Sequence, residues 1–321
     1  MSEQVPHSGS TAQADMPQDS TVRPAIPYGW LRALIYFVVY LVATIAMSIV
    51  AVIATGATSN EEFVALLDKP VMIGLELMQI VAALVLTWLF RRFLDRRSFV
   101  SLGFSLPRWA RIDLIAGLLW GVGLVTTIFL IQWILGWVRV VGVSWPVGSL
   151  AIMALVIAMA ASREEIIMRG YMLHNVMQSA NKYVALMLIA ALFALSHGLN
   201  PNISFIGLAN IVIAGLLLGV YYIHRGNLWF PIGLHVGWNY FQGAVWGSPV
   251  SGITLPGIVQ IEFTGPELWT GGLFGFEASP ITTIVTVLAT IMIHVRYRAE
   301  AGVGAIAPSR QDTDTPPPMP R

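Results

Sequence analysis

Apolar residues run through the chain in blocks of roughly 20, a length that at about 1.5 Å per residue crosses a bilayer as a helix. Residues 33–55, 71–90 and 114–135 are the clearest such blocks. A fourth, 147–168, stays apolar until it reaches Arg163, Glu164 and Glu165. Blocks at 183–198, 203–222, 228–246 and 281–295 follow, the fifth and eighth being shorter than a full span. Because helices satisfy their own backbone groups in lipid, the pattern predicts an all-α, polytopic transmembrane bundle of about eight spans.

The polar clusters between blocks give its orientation. Lys and Arg concentrate on the cytoplasmic side of short loops, and Arg91, Arg92, Arg96, Arg97, Arg108 and Arg111 crowd the connection between the second and third blocks. Alternation then places Lys182, Arg225, Arg296 and Arg298 on the same side, with Glu61, Glu62, Asp68 and the 248–280 loop outside. Both termini are therefore expected in the cytoplasm, and the plasma membrane of a prokaryotic cell is the expected location. Residues 1–26 and 299–321, rich in polar residues and Pro, read as disordered tails around a helical domain at 27–298. The first tail lacks the features of a secretory signal.

Composition strengthens the lipid reading. With 56% hydrophobic and 11% charged residues and a mean hydropathy of +0.72, the chain has too little charge to cover a soluble globule, where about 25% is usual. The net charge of +1 gives no reason to expect nucleic acid as a partner. The chain has no cysteine, which leaves His and carboxylates as the only metal ligands available. No repeat of 20 to 50 residues is visible. Several tryptophans near block ends, among them Trp30, Trp88, Trp137 and Trp229, fit an interfacial belt.

Ionisable groups at membrane depth are costly and persist where they face a polar cavity or each other. Glu165 and Arg169, four residues apart, share a helix face and can pair, whereas Glu164 lies about 100° away and faces elsewhere. Phe193 and His197 share a stripe at the end of the fifth block, as His235 and Asn239 do within the seventh. A glutamate and two histidines on separate helices can activate water in two ways. Either the carboxylate takes the proton while an imidazole orients the water, or Glu164, His197 and His235 bind a divalent metal such as zinc that acidifies it. Asn239 can donate to the oxyanion that develops on an attacked carbonyl.

Three motifs here resemble those of the CPBP family of intramembrane proteases, also known as the CAAX protease, bacteriocin-processing or Abi family. Glu164-Glu165-Ile166-Ile167-Met168-Arg169, followed by Gly170, is similar to its Glu-Glu-x-x-x-Arg motif; Phe193 to His197 matches Phe-x-x-x-His, and His235 to Asn239 matches His-x-x-x-Asn. The three stand in family order on the fourth, fifth and seventh blocks within a core at 147–246. The resemblance implies a glutamate-dependent or metal-assisted endopeptidase acting on a membrane-associated protein or peptide, prenylated in one branch of the family. It gives Glu164 the role of base, His197 and His235 the activation of water or the holding of a metal, and Asn239 the oxyanion role. Glu165, Arg169 and Phe193 are supporting residues.

Taken singly, these residues have plainer readings. Charges near Glu164 can cap a helix at the interface, His197 beside Gly198 can close one, Glu76 in the second block can be structural, and His174, Asn175, His224 and His294 near block ends can be wet. The same fold could also serve as a non-catalytic membrane scaffold or immunity factor, or a proton-coupled transporter could use the carboxylate and histidines as a relay. Depth poses a specific problem. His197, about 15 residues beyond Lys182, would stand about 22 Å from the cytoplasmic side, whereas Glu164 is expected near that side. The two can share a water if the fourth helix runs on beyond Glu164, which the apolar sequence through Leu173 supports.

Overall fold

The computed structural model describes residues 23–57, 59, 62, 65–66, 69–104 and 110–304. The tails at 1–22 and 305–321, together with Glu61, Asp68 and Arg108, lie outside these residues.

Each of the eight apolar blocks forms a helical rod. These are α1 (Gly29–Thr55), α2 (Pro70–Leu94), α3 (Ala110–Ile134), α4 (147–176), α5 (Lys182–Ser196), α6 (Phe205–Arg225), α7 (229–245) and α8 (Pro280–Gly304). Local chemistry sets several ends. Pro70 begins α2, while Asn181 and Ser204 accept backbone N–H groups at the starts of α5 and α6. Gly56 and Gly226 close α1 and α6 in the left-handed conformation.

Among the described residues, five rods are long and apolar enough to cross a membrane on their own: α1, α2, α3, α6 and α8. The other three, α4, α5 and α7, carry or cap every motif residue. Polar side chains interrupt α4, and α5 and the α-helical part of α7 have only 15 and 12 residues. The neighbouring rods compensate by exposing apolar stripes at helical spacing, such as Ile45, Ile49 and Ile53 on α1 and Ile284, Leu288 and Ile291 on α8. In water such stripes would drive association; in a bilayer they are the lipid contact.

The closest packing joins α3 to α7. A Cβ at Gly117 or Gly121 would overlap the Phe230 or Leu234 carbonyl, and one at Gly233 or Gly237 the Leu114 or Leu118 carbonyl. The seam is thus a Gly-x-x-x-Gly pair on each helix, so the two backbones touch, as packing in lipid favours. His235 is two residues from each α7 glycine and points to the opposite side. Gly121→Leu is expected to pry the helices apart at a cost of about 1–3 kcal/mol, the usual penalty for overpacking. A thermal unfolding temperature in detergent equal to the wild-type value would show that the seam tolerates the side chain.

The ends of the rods agree with alternating passage. Arg32, Arg91, Asp95, His174 and Tyr222, from α1, α2, α4 and α6, meet at one end. At the other, β1 (Val138–Val143) pairs antiparallel with β2 (Val259–Phe263), with a bulge between Val140 and Gly142. This ribbon was not apparent from the block pattern. Burial also differs from the sequence reading at three positions: Arg91, His174 and Asn175 are enclosed, not solvated. Asp95 draws Arg91 inward, and Asn175 is held by the Tyr171 carbonyl.

Candidate active site

The fourth rod resolves the problem of depth. Its α-helix, Val147–Glu165, continues without a break as a π-helix, Ile166–Leu173, and ends in one more turn, His174–Val176. Glu164 is thus 12 residues from the end of the rod, roughly 18 Å at α-helical rise. That brings it to within a few ångströms of the depth of His197. A π segment at such a position is common at functional sites.

Glu164, His197, His235 and Asn239 line one cavity of about 770 Å³. Glu164 Oε2 stands 3.9 Å from His235 Nε2, too far for a direct hydrogen bond and a suitable span for a water held by both.

The supporting residues fix this arrangement. Glu165 is fully buried, and its Oε1 accepts from Arg169 Nη1 at 2.8 Å and from His235 Nδ1 at 2.9 Å. Arg169 Nη2 donates to the Gly215 carbonyl of α6, and its guanidinium lies 4.5 Å above the Phe193 ring. Phe193 in turn packs edge-on against both imidazoles, with ring centres 4.7 Å from His197 and 6.2 Å from His235. The Phe of the second motif therefore holds the other side chains in place.

The same contacts set both tautomers. A carbonyl only accepts, so His197 Nδ1 donates to the Phe193 carbonyl at 2.8 Å. A carboxylate also only accepts, so His235 Nδ1 donates to Glu165. Each neutral imidazole is left with Nε2 as a free base. His197 also caps α5, its N–H reaching the Ala194 carbonyl, so it closes the helix and lines the cavity. Asn239 is half-buried, and its amide makes no hydrogen bond among the described residues.

Glu164, His197 and His235 are the donors a divalent metal would require. Among the described residues no three His, Cys, Asp or Glu side chains are grouped to hold a metal ion. The set as placed does not form a metal cage.

Of the remaining sequence candidates, Glu76 is buried and paired with Arg163 at 3.5 Å, beside the site but not lining the cavity. His224 and His294 bond each other at 3.1 Å, away from it. The cavity also recruits residues that the motifs do not mark: Tyr40 from α1, Asn210 from α6, and Ser251 and Glu277 from the long loop before α8. Asn210, a lone amide within an apolar span, was the one available signal among these. Its Nδ2 donates to the Glu277 and Ser279 carbonyls, and its Oδ1 accepts from Thr283.

Residues 145–241 match the family described as type II CAAX prenyl endopeptidase Rce1-like. No curated protein and no solved structure matches the chain.

Proposed function

We propose, from the match of residues 145–241 to the Rce1-like type II CAAX prenyl endopeptidase family, that the chain is an integral membrane endopeptidase in which a glutamate and two histidines activate water. The observation that carries this reading is the convergence of Glu164, His197, His235 and Asn239 on one cavity, with the Nε2 atoms of both imidazoles free as bases.

Glu164 takes a proton from a water held against His235 Nε2, and the resulting hydroxide attacks the scissile carbonyl. His197 orients the water or carbonyl from the other wall. The Asn239 amide donates to the oxyanion, a contact worth most in an enclosed site of low dielectric. Glu165 keeps the His235 proton on Nδ1, and Arg169 holds the Glu165 carboxylate in place. The walls are mostly apolar, with Phe37, Leu41, Ile211 and Leu217 among them. This suits a membrane-associated substrate, whether an apolar peptide segment or one carrying a lipid such as a prenyl group.

The test is a comparison of protein termini in cells carrying the wild type and cells carrying Glu164→Ala at equal expression. New termini that depend on Glu164 are expected, and their sequences name the substrate and show whether a prenylated cysteine precedes the cut. Identical termini in the two strains would favour a scaffold or immunity role on the same fold.

A further inference from the structure

Glu277 precedes α8 on a short 3-10 turn, Phe276–Ala278, and lines the cavity that holds Glu164 and both histidines. Its position is fixed twice. The backbone is pinned by Asn210, which binds the Glu277 carbonyl at 2.7 Å. The side chain is held by Ser251, whose N–H and hydroxyl both donate to Oε2, the hydroxyl at 2.9 Å. Ser251 is one of three non-glycine residues with a positive φ among the described residues, at 48°. Such strain in a side-chain-bearing residue is maintained where the surroundings require it, and it clusters at functional sites. Asn200, just beyond His197, donates to the Ser251 carbonyl and ties this turn to the catalytic loop.

Two donors on one carboxyl oxygen mark it as the carbonyl-like oxygen and leave Oε1 as the natural site for a proton. Oε1 makes no hydrogen bond to the described residues and is not sealed from the cavity. Burial pushes this carboxyl above the ordinary carboxylate range, outweighing the Ser251 bonds and the nearby His197 and His235 that draw it down.

We propose that Glu277 is a second catalytic carboxyl group, the general acid that protonates the leaving amine from Oε1 while Glu164 acts as the base. The assignment rests on the peptidase reading above. Water oxygen bonds to the scissile carbon as its proton passes to the Glu164 carboxylate. The carbon–nitrogen bond then breaks, its electron pair stays on nitrogen, and nitrogen takes the Glu277 proton. The products are a carboxylic acid and an amine. Return of one proton from Glu164 to Glu277 through the water of the cavity restores both groups. Division of the work between two carboxyls in unlike surroundings is an established route to acid and base at one pH.

The test compares two substrates for purified full-length protein in liposomes: an internally quenched, prenylated peptide, and the p-nitrophenyl ester of its acyl half. The p-nitrophenolate leaves without a proton, so an acid matters only for the peptide. Glu277→Gln keeps an oxygen for both Ser251 donors. It is expected to lower kcat on the peptide by about 10²-fold, in the range of general acid catalysis, with KM little changed and less than about a threefold loss on the ester. Equal losses on both substrates would reduce Glu277 to a structural role, and undiminished peptide cleavage would remove it from catalysis. Ser251→Ala, which keeps the carboxyl but loses one of its donors, should show the same bias toward the peptide to a smaller degree. A wild-type protein active on neither substrate would overturn the peptidase reading and this assignment together, whereas an active wild type with fully active Glu277→Gln overturns the assignment alone.

Discussion

Glu165→Gln is expected to reduce peptide hydrolysis about as far as Glu164→Gln, by about 10³-fold in kcat, although of the two only Glu164 lines the cavity. The reason lies in the proton on His235. Glu165 Oε1 accepts from both Arg169 and His235, and an amide oxygen in its place can still accept from both but carries no charge. Without that charge nothing outweighs the Glu164 carboxylate, 3.9 Å from His235 Nε2, which draws the imidazole proton to Nε2. His235 would then present a donor to the water in place of the acceptor that orients it for Glu164. In a serine protease triad the equivalent loss of a carboxylate behind histidine costs about 10⁴. The two variants should differ in stability. Glu164 is partly open to the cavity, whereas Glu165 is the counter-charge of a guanidinium only 1% exposed. Glu165→Gln should therefore also lower the unfolding temperature, and Glu164→Gln should not. Retention of more than a tenth of wild-type kcat by folded Glu165→Gln would show that the tautomer is set by something else.

That contrast marks where the sequence was informative. Lipid penalises polarity, so eight apolar blocks stood out, and so did Glu164, Glu165, His235 and Asn239 within or at the ends of them. The pairing of Glu165 with Arg169 followed from helical spacing. What the spacing did not reveal was that His235 would use the same carboxylate, because that contact joins α4 to α7 across 70 residues of chain. The glycines at 117, 121, 233 and 237 make two Gly-x-x-x-Gly pairs in the sequence that the block pattern passed over, and which helices they join depends on the tertiary fold. Glu277 had no periodic context, lying in a glycine-rich loop assigned to the outside. Asp95 was hidden for the opposite reason: it stood among arginines that read as a solvated basic loop, although Arg91 and Asp95 are one helical turn apart and both are buried.

Removal of Asp95 should produce the largest loss of stability outside the site. Its two oxygens hold Arg32 Nη1 at 2.7 Å and Arg91 Nη1 at 2.8 Å, with Tyr171 and Asn175 at the edge of hydrogen-bond reach. All three charged side chains are at most 2% exposed. Arg32 also reaches Gln178, and Arg91 reaches Ser101 and His174. The cluster thus ties α1 and the end of α2 to the end of α4. Asp95→Ala leaves two guanidiniums without their carboxylate, and breaking a buried pair in this way costs about 3–5 kcal/mol. A drop in unfolding temperature well beyond that of Gly121→Leu is expected. Replacing all three charges together, as Arg32→Met, Arg91→Met and Asp95→Leu, should recover much of the loss, because the desolvation cost goes with the ions. The effect should reach the cavity through α1, which supplies Phe37, Tyr40, Leu41 and Thr44 to its wall. At a temperature where Asp95→Ala is still folded, KM for the peptide should rise more than kcat falls, since these residues line the cavity wall and none is placed to move a proton. An unfolding temperature within a degree or two of wild type would mean that water reaches the two guanidiniums and that α1 is held to α4 mainly by its aromatic contacts, among them the stacking of Tyr36 on Tyr171 at 4.2 Å.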